Sequence, residues 1–204
     1  VNNIYTTLGF YFQNTEKSKS VYNYNGFITM ILKNYIRHKT GDNYKVFLNK
    51  IFQNKVKNEY NVQFVEMNSG SEEWGIGDSM VRLTRHDWLR LAKAMMDDYQ
   101  NDTCVGNYLK EIHKRRIPKN LGGDKDEPEF NRTKTYGGQF HFDYPGLKNR
   151  VVFGLGGRGG QAILIDVENS RIVVINSIHY NDGKYKYNVK KLLIDPIKNG
   201  RKIN

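Results

Sequence analysis

The segment richest in chemical possibility is Phe153-Gly154-Leu155-Gly156-Gly157-Arg158-Gly159-Gly160-Gln161. Gly154, Gly156 and Gly159 match the G-x-G-x-x-G spacing of a dinucleotide loop. That loop needs a helix directly after its glycines, so that the helix N-terminus receives the pyrophosphate. Here the glycines run into Ala162-Ile163-Leu164-Ile165, a β-type run, and no Gly-Lys-Ser/Thr follows to make a phosphate loop. The context fits a glycine-rich strand edge, where missing side chains let a ligand or another backbone come close. A bulged corner between strands is the plainer alternative. Tyr22 and Tyr24, in Val21-Tyr22-Asn23-Tyr24-Asn25-Gly26-Phe27, read by themselves as aromatic anchors before a helix capped by Asn25. The histidines His38, His86, His113, His141 and His179 show neither H-E-x-x-H nor H-x-H spacing, so no metal site is expected and no cofactor is implied. His141 lies two residues after Gln139 on an extended run, where a lone histidine usually has a structural role.

The single cysteine, Cys104, excludes an internal disulfide and a thiolate-built zinc site. The 204 residues carry 32 Lys+Arg against 21 Asp+Glu, a net charge of +11 that raises the question of nucleic acid or an anionic surface. Lysine is scattered along the whole chain, however, and the densest cluster, Lys110 to Arg116 followed by Pro118 and Lys119, reads as a solvated helix end. Nucleic acid is therefore not the expected partner. No run approaches the ~18 apolar residues of a membrane-spanning helix.

Several elements must position these residues. Ile28, Ile31, Leu32, Tyr35 and Ile36 recur at helical spacing within Phe27–Lys39, and Thr40-Gly41 supplies a stop. Tyr44, Phe47, Leu48, Ile51 and Phe52 form one face of a short second helix. Residues 54–82 read as irregular, with a Gly/Ser-rich stretch at Asn68–Gly77. Thr84-Arg85-His86-Asp87 is a capping box, opening a helix whose buried stripe is Trp88, Leu91, Ala92, Met95 and Met96. Gly122 to Lys134 reads as a loop, after which the period becomes extended. Strands are expected at Tyr136–Phe142, Arg150–Phe153, Gln161–Val167 and Arg171–Ile178, with Glu168-Asn169-Ser170 as a hairpin turn and a final helix near Lys186–Ile197. Helices, then an antiparallel meander, then a helix make an α+β chain.

Three of these segments together resemble the serine β-lactamase-like hydrolases, a group that includes penicillin-binding proteins, class C β-lactamases, related esterases and 6-aminohexanoate-dimer hydrolases. The tyrosine motif of that family is similar to Tyr24-Asn25-Gly26, followed at family spacing by Ile31-Leu32, Thr40-Gly41 and Tyr44-Lys45-Val46-Phe47-Leu48. The family's glycine-rich approach to a helix resembles Gly77-Asp78-Ser79-Met80 leading to Asp87-Trp88-Leu89-Arg90. Its glycine strand and partner strand resemble Gly157-Arg158-Gly159-Gly160-Gln161 and Arg171-Ile172-Val173-Val174-Ile175. The resemblance spans about Tyr24 to Ile178.

What the resemblance implies is a β-lactamase/transpeptidase-like antiparallel sheet flanked by helices, acting by acyl transfer through a serine ester on a small-molecule or peptide substrate. Tyr24 takes the catalytic tyrosine's role, and an unperturbed phenol at pKa ~10 needs a nearby ammonium to serve as a base at neutral pH. Leu155, Gly156, Gly157 and Arg158 take the place of the oxyanion and substrate strand, with Gly26 and Gln161 at substrate-binding positions. This sequence departs from the family at two of these points: Gly26 stands where an Asn or Ser belongs, and the glycine strand lacks Lys or His, with Arg158 as the nearby cation. No Ser-x-x-Lys occurs in the 204 residues. The resemblance therefore implies that residues 1–204 are the C-terminal portion of one domain, 23–135 mainly helical and 136–204 strands and a last helix. An N-terminal portion of the same protein would bring the nucleophile and complete the sheet. Family members are often periplasmic or membrane-associated. The alternatives are an inactive binding domain of the same fold and, on charge alone, a basic nucleic-acid-binding domain.

Overall fold

The computed structural model describes residues 22, 26–67, 78–119, 135–147, 149–156, 161–176 and 190–200. The first helix, α1 (Gly26–Thr40), ends with Arg37, His38 and Lys39 in its last turn, where cations complement the helix dipole. The Thr40 hydroxyl donates to the Ile36 carbonyl at 2.8 Å, and Gly41 turns the chain at φ 57°. Helix α2 (Tyr44–Ile51) follows and runs into a π-helical turn at Phe52–Val56. Only part of its expected apolar face is covered: Tyr44 is buried, whereas Phe47 and Ile51 are 42% and 37% exposed.

Residues expected to be irregular contain a hairpin instead. Strands β1 (Gln63–Met67) and β2 (Asp78–Arg82) pair antiparallel, with Phe64 opposite Val81 and Val65 opposite Met80. Cross-strand partners stabilise such a ribbon, and neither strand shows clean alternation in sequence. Asn68–Gly77, like the loop expected from Gly122 to Lys134, lies outside the described residues.

Helix α3 (Arg85–Gln100) opens as its capping box predicts: the Asp87 amide donates to Thr84 Oγ1 at 3.1 Å, and that hydroxyl donates to Asp87 Oδ2 at 2.9 Å. Asp87 is buried and also accepts from the Glu59 amide and from Arg90, so the cap ties the helix to the turn before β1. Helix α4 (Cys104–Lys114) packs closely on α3 at Gly106, where a Cβ would lie 1.8 Å from the Asp98 carbonyl oxygen.

The chain then forms a six-stranded antiparallel meander, β3 (Ile117–Pro118), β4 (Thr135–Gly137), β5 (Phe140–Phe142), β6 (Val152–Gly156), β7 (Ala162–Asp166) and β8 (Arg171–Ile175), in sequence order across the sheet. The strand expected at Tyr136–Phe142 is two strands joined at Gly138-Gln139, both with positive φ (52° and 72°). Positive φ at both central residues marks the hairpin turn that follows strand twist. Alternation along β6 and β7 sorts the core onto two faces. Phe153, Ile163 and Ile165 face Ala92, Met96 and Leu109 of α3 and α4, joined by Phe140 and Phe142. Val152, Ala162 and Leu164 face Leu193, Ile194 and Ile197 of the last helical segment, a π-turn at Lys190–Ile194 leading into α5 (Asp195–Asn199). The molecule is thus mixed α/β, with a six-stranded antiparallel sheet between helices and a separate two-stranded ribbon.

Candidate functional site

On the second of these faces, β4 and β5 bring Tyr136 opposite His141, and β5 and β6 bring His141 opposite Gly154. Directly paired residues share a sheet face, so Tyr136, His141 and Gly154 belong to one row, which continues from Ile117 on β3 to Leu164 and Val173 on β7 and β8. The Tyr136 and His141 rings meet edge to face at 5.0 Å, and the Tyr136 hydroxyl donates to Gln139 Oε1 at 3.1 Å. Tyr22 packs edge to face on Tyr136 at 5.2 Å. Above the Tyr22 ring, 5.4 Å from its centroid, sits the ammonium of Lys119, the residue that follows β3.

Lys119 is 5% exposed, which overturns its reading as part of a solvated run. Arg116 is half-buried and donates to both carboxylate oxygens of Asp143, at 2.8 and 3.3 Å, whereas Lys114 and Arg115 are exposed as a solvated helix end requires, Arg115 pairing with Glu111. The carboxyl of Asp143 is held below the usual range because Arg116 and Thr135 donate to it, which outweighs the opposing effect of its burial. His141 is pushed down from 6.5 to about 4, first by burial and then by the charge of Lys119, and so is neutral near pH 7. Burial also raises the Tyr144 phenol well above its ordinary range. The Tyr144 hydroxyl fills the space over Gly154, 2.2 Å from where a Cβ would stand.

The glycine strand has an asymmetric register. All five residues of β6 pair with β7, but only Phe153 and Gly154 pair with β5; in that register Leu155 stands opposite Phe140 and Gly156 opposite the Gly138-Gln139 turn. Gly156 is exposed opposite Ala162, which sets the exposed Gln161 beside the same strand end. Leu155 turns its side chain to the opposite face, among the residues packed on α3 and α4. Its contribution to any site is therefore its backbone. Gly26 is the first residue of α1. Tyr24, Gly157 and Arg158 lie outside the described residues. At the other end of the sheet an open cleft of about 530 Å³ is lined by Gly146, Leu147, Asn149, Arg150 and Glu168, far along the strands from Gly156.

Tyr22, Lys119, Tyr136 and Gln139 were not legible as site residues. Tyr22 looks like a helix anchor, Lys119 is one cation among many, and Tyr136 and Gln139 were placed inside a single strand. The one usable signal was the Gly137-Gly138 pair, which folds β4 back on β5. Chemically the cluster holds an ammonium, a neutral imidazole, phenols and an amide, groups able to hold protons, beside a strand whose Gly154 is buried under the Tyr144 hydroxyl. Among the described residues no three His, Cys, Asp or Glu side chains are arranged to hold a metal. No family model, curated protein or solved structure matches the chain.

Proposed function

We propose that the chain is the glycine-strand portion of a β-lactamase-like serine hydrolase that cleaves an ester, amide or peptide bond through an acyl-enzyme. One observation carries the reading. Tyr22, two residues before the Tyr24 motif, packs on Tyr136, whose partner His141 lies opposite Gly154 of the glycine strand. Tyr22, just before the tyrosine motif, and Gly154, just before the glycine segment, are thus linked through Tyr136 and His141, which supports the reading.

In this reading a serine of an upstream Ser-x-x-Lys attacks the substrate carbonyl, Tyr24 moves the proton, and water later releases the acyl group. The oxyanion is held by the serine N–H and by a backbone N–H from Leu155-Gly156-Gly157-Arg158, the positions that match the family's substrate strand. Such a donor contributes about 2.7–4 kcal/mol to the transition state. Because β6 reaches Gly156, one residue beyond the position opposite Phe140 of β5, its end offers a backbone edge for an extended substrate. Side chains there would stand in the way, which is the use of Gly156 and Gly157. The strand lacks the cation common in the lactamases and so favours esterase or 6-aminohexanoate-hydrolase chemistry on a small-molecule or peptide substrate.

The test is labelling of the native protein with a fluorophosphonate probe, followed by mass spectrometry of the modified peptide. A modified serine on a Ser-x-x-Lys peptide outside these 204 residues is expected. An unlabelled protein whose intact mass is that of this chain alone overturns the hydrolase reading. It would favour an inactive binding domain, the reading to which Gly26 in the tyrosine motif already points.

A further inference from the structure

Among the described residues eleven large apolar side chains are exposed, and they are not spread evenly. Six of them, Ile28, Leu32, Tyr35, Val46, Phe47 and Ile51, lie on the consecutive helices α1 and α2, between 37% and 66% exposed. Ile28, Leu32 and Tyr35 recur at i, i+4 and i+7, a single stripe along α1, and Phe47 and Ile51 repeat the i, i+4 spacing on α2. The charges around them are of one sign. From Gly26 to Lys57 seven Lys and Arg stand against Asp42 alone, although the whole chain has 21 acidic residues. Arg37, Lys39, Lys50, Lys55 and Lys57 are all exposed, and none of the five has an ion pair among the described residues. The Lys39 ammonium lies 5.6 Å from the centre of the Tyr35 ring, so charge and stripe adjoin, and Arg37 of α1 lies 5.8 Å from the Tyr44 ring of α2. Exposed apolar residues elsewhere keep different company. Leu89, Val105 and Tyr108 sit on α3 and α4, where Lys93 pairs with Asp97, Lys110 with Asp102 and Arg115 with Glu111.

We infer that α1 and α2 form a docking surface for an anionic lipid bilayer. The apolar side chains enter the boundary between headgroups and acyl chains, and the cations beside them meet the lipid phosphates. Helices that lie in a membrane interface have this composition, because apolar burial and attraction to anionic lipid add. A second copy of the chain does not fit the same surface, since its unpaired cations would face their own kind. Nucleic acid would take up the charges but leave Ile28, Leu32, Val46 and Ile51 without a contact to make, because bases are held by aromatic stacking and hydrogen bonds. The inference is independent of the hydrolase reading.

The experiment sediments the native protein with vesicles of phosphatidylcholine alone, and of phosphatidylcholine and phosphatidylglycerol mixed roughly two to one. Binding to the mixed vesicles and not to the neutral ones is expected. Lys50→Gln with Lys55→Gln should weaken it roughly 30-fold, at about 5-fold for each lysine near an anionic surface. Leu32→Ser with Phe47→Ser should weaken it by roughly 10-fold or more, through lost apolar burial. Lys114→Gln with Arg115→Gln, at the exposed end of α4, should change it little. Far-UV circular dichroism checks that each variant is folded, and should the apolar pair not fold, the two charge pairs decide. Wild type that stays in the supernatant with both vesicles overturns the proposal. So does a folded Leu32→Ser, Phe47→Ser protein that binds as wild type does. An equal loss in the α4 pair overturns it as well, because binding would then follow net charge and not this face. Tighter binding to a single-stranded oligonucleotide, lost in the same α1 and α2 variants, would assign the face to nucleic acid and overturn it too.

Discussion

His141 makes the protein acid-sensitive in a defined window. Its pKa is about 4 in the folded chain and 6.5 when exposed to water, so below pH 6.5 the unfolded state binds a proton that the folded state refuses. Stability is then lost progressively as pH falls from 6.5 toward 4, and His141 costs nothing above 6.5. A displacement of that size corresponds to about 3 kcal/mol once the window has been crossed, at about 1.4 kcal/mol per pH unit, and to about 2 kcal/mol at pH 5. His113 is also depressed, by burial and by Arg116, and adds a loss of the same sign. The comparison must therefore be between wild type and His141→Gln, which keeps a polar group of similar reach but cannot titrate. Urea unfolding at pH 7.5 and pH 5 should show wild type losing about 2 kcal/mol more than the variant, a midpoint difference of roughly 1 M at an m-value near 2 kcal/mol/M. Working at pH 5 keeps clear of Asp87 and Asp143, whose depressed carboxyls lose their stabilising contribution only below 3.8. Equal pH dependence in the two proteins would refute the argument from burial and charge.

Other substitutions probe the packing around the site. Gly154→Ala drives a methyl into the Tyr144 hydroxyl and to 2.6 Å from the Ile163 carbonyl, and should destabilise by about 1–3 kcal/mol in thermal or urea unfolding. Gly106→Ala should destabilise as well, because the gain of about 1 kcal/mol in helix propensity cannot offset a contact of 1.8 Å with backbone of α3; circular dichroism melting checks the sign. Asp166→Ala strands the half-buried Arg150 guanidinium and should cost about 3–5 kcal/mol by urea unfolding. Tyr24→Phe in the native protein should slow fluorophosphonate labelling by roughly 100-fold or more, and an unchanged rate removes Tyr24 from proton transfer.

Much of the architecture was readable locally. The α3 stripe and its capping box depend on neighbours three and four residues apart, and Thr84, Asp87, Ala92 and Met96 take up the expected roles. Strands β7 and β8 announce themselves through β-branched runs and the Glu168-Asn169-Ser170 turn, whereas β6 is displaced from the expected Arg150–Phe153 to Val152–Gly156 and takes in the first glycines. Periodicity failed where its partner is remote. Ile28, Leu32 and Tyr35 of the α1 stripe are 47%, 50% and 59% exposed, because an apolar spacing says that a face exists and not what covers it. Helix α4 was visible only as its basic end, and the β1–β2 hairpin not at all.

Composition and spacing alone determined the α+β order, the extended run after the glycines that excludes a dinucleotide loop, and the lack of cysteine pairs. Those properties follow from residue types and from separations of a few positions. The tertiary structure decided that Lys119 is buried, that Tyr22 meets Tyr136, and that this pair lies beside the cross-strand row through His141 and Gly154. Lys119 is chemically identical to its exposed neighbours until Tyr22 closes over it, and His141 has an ordinary imidazole until burial and that ammonium surround it. Burial and charge proximity are sums over residues distant in sequence, and only the folded chain performs them.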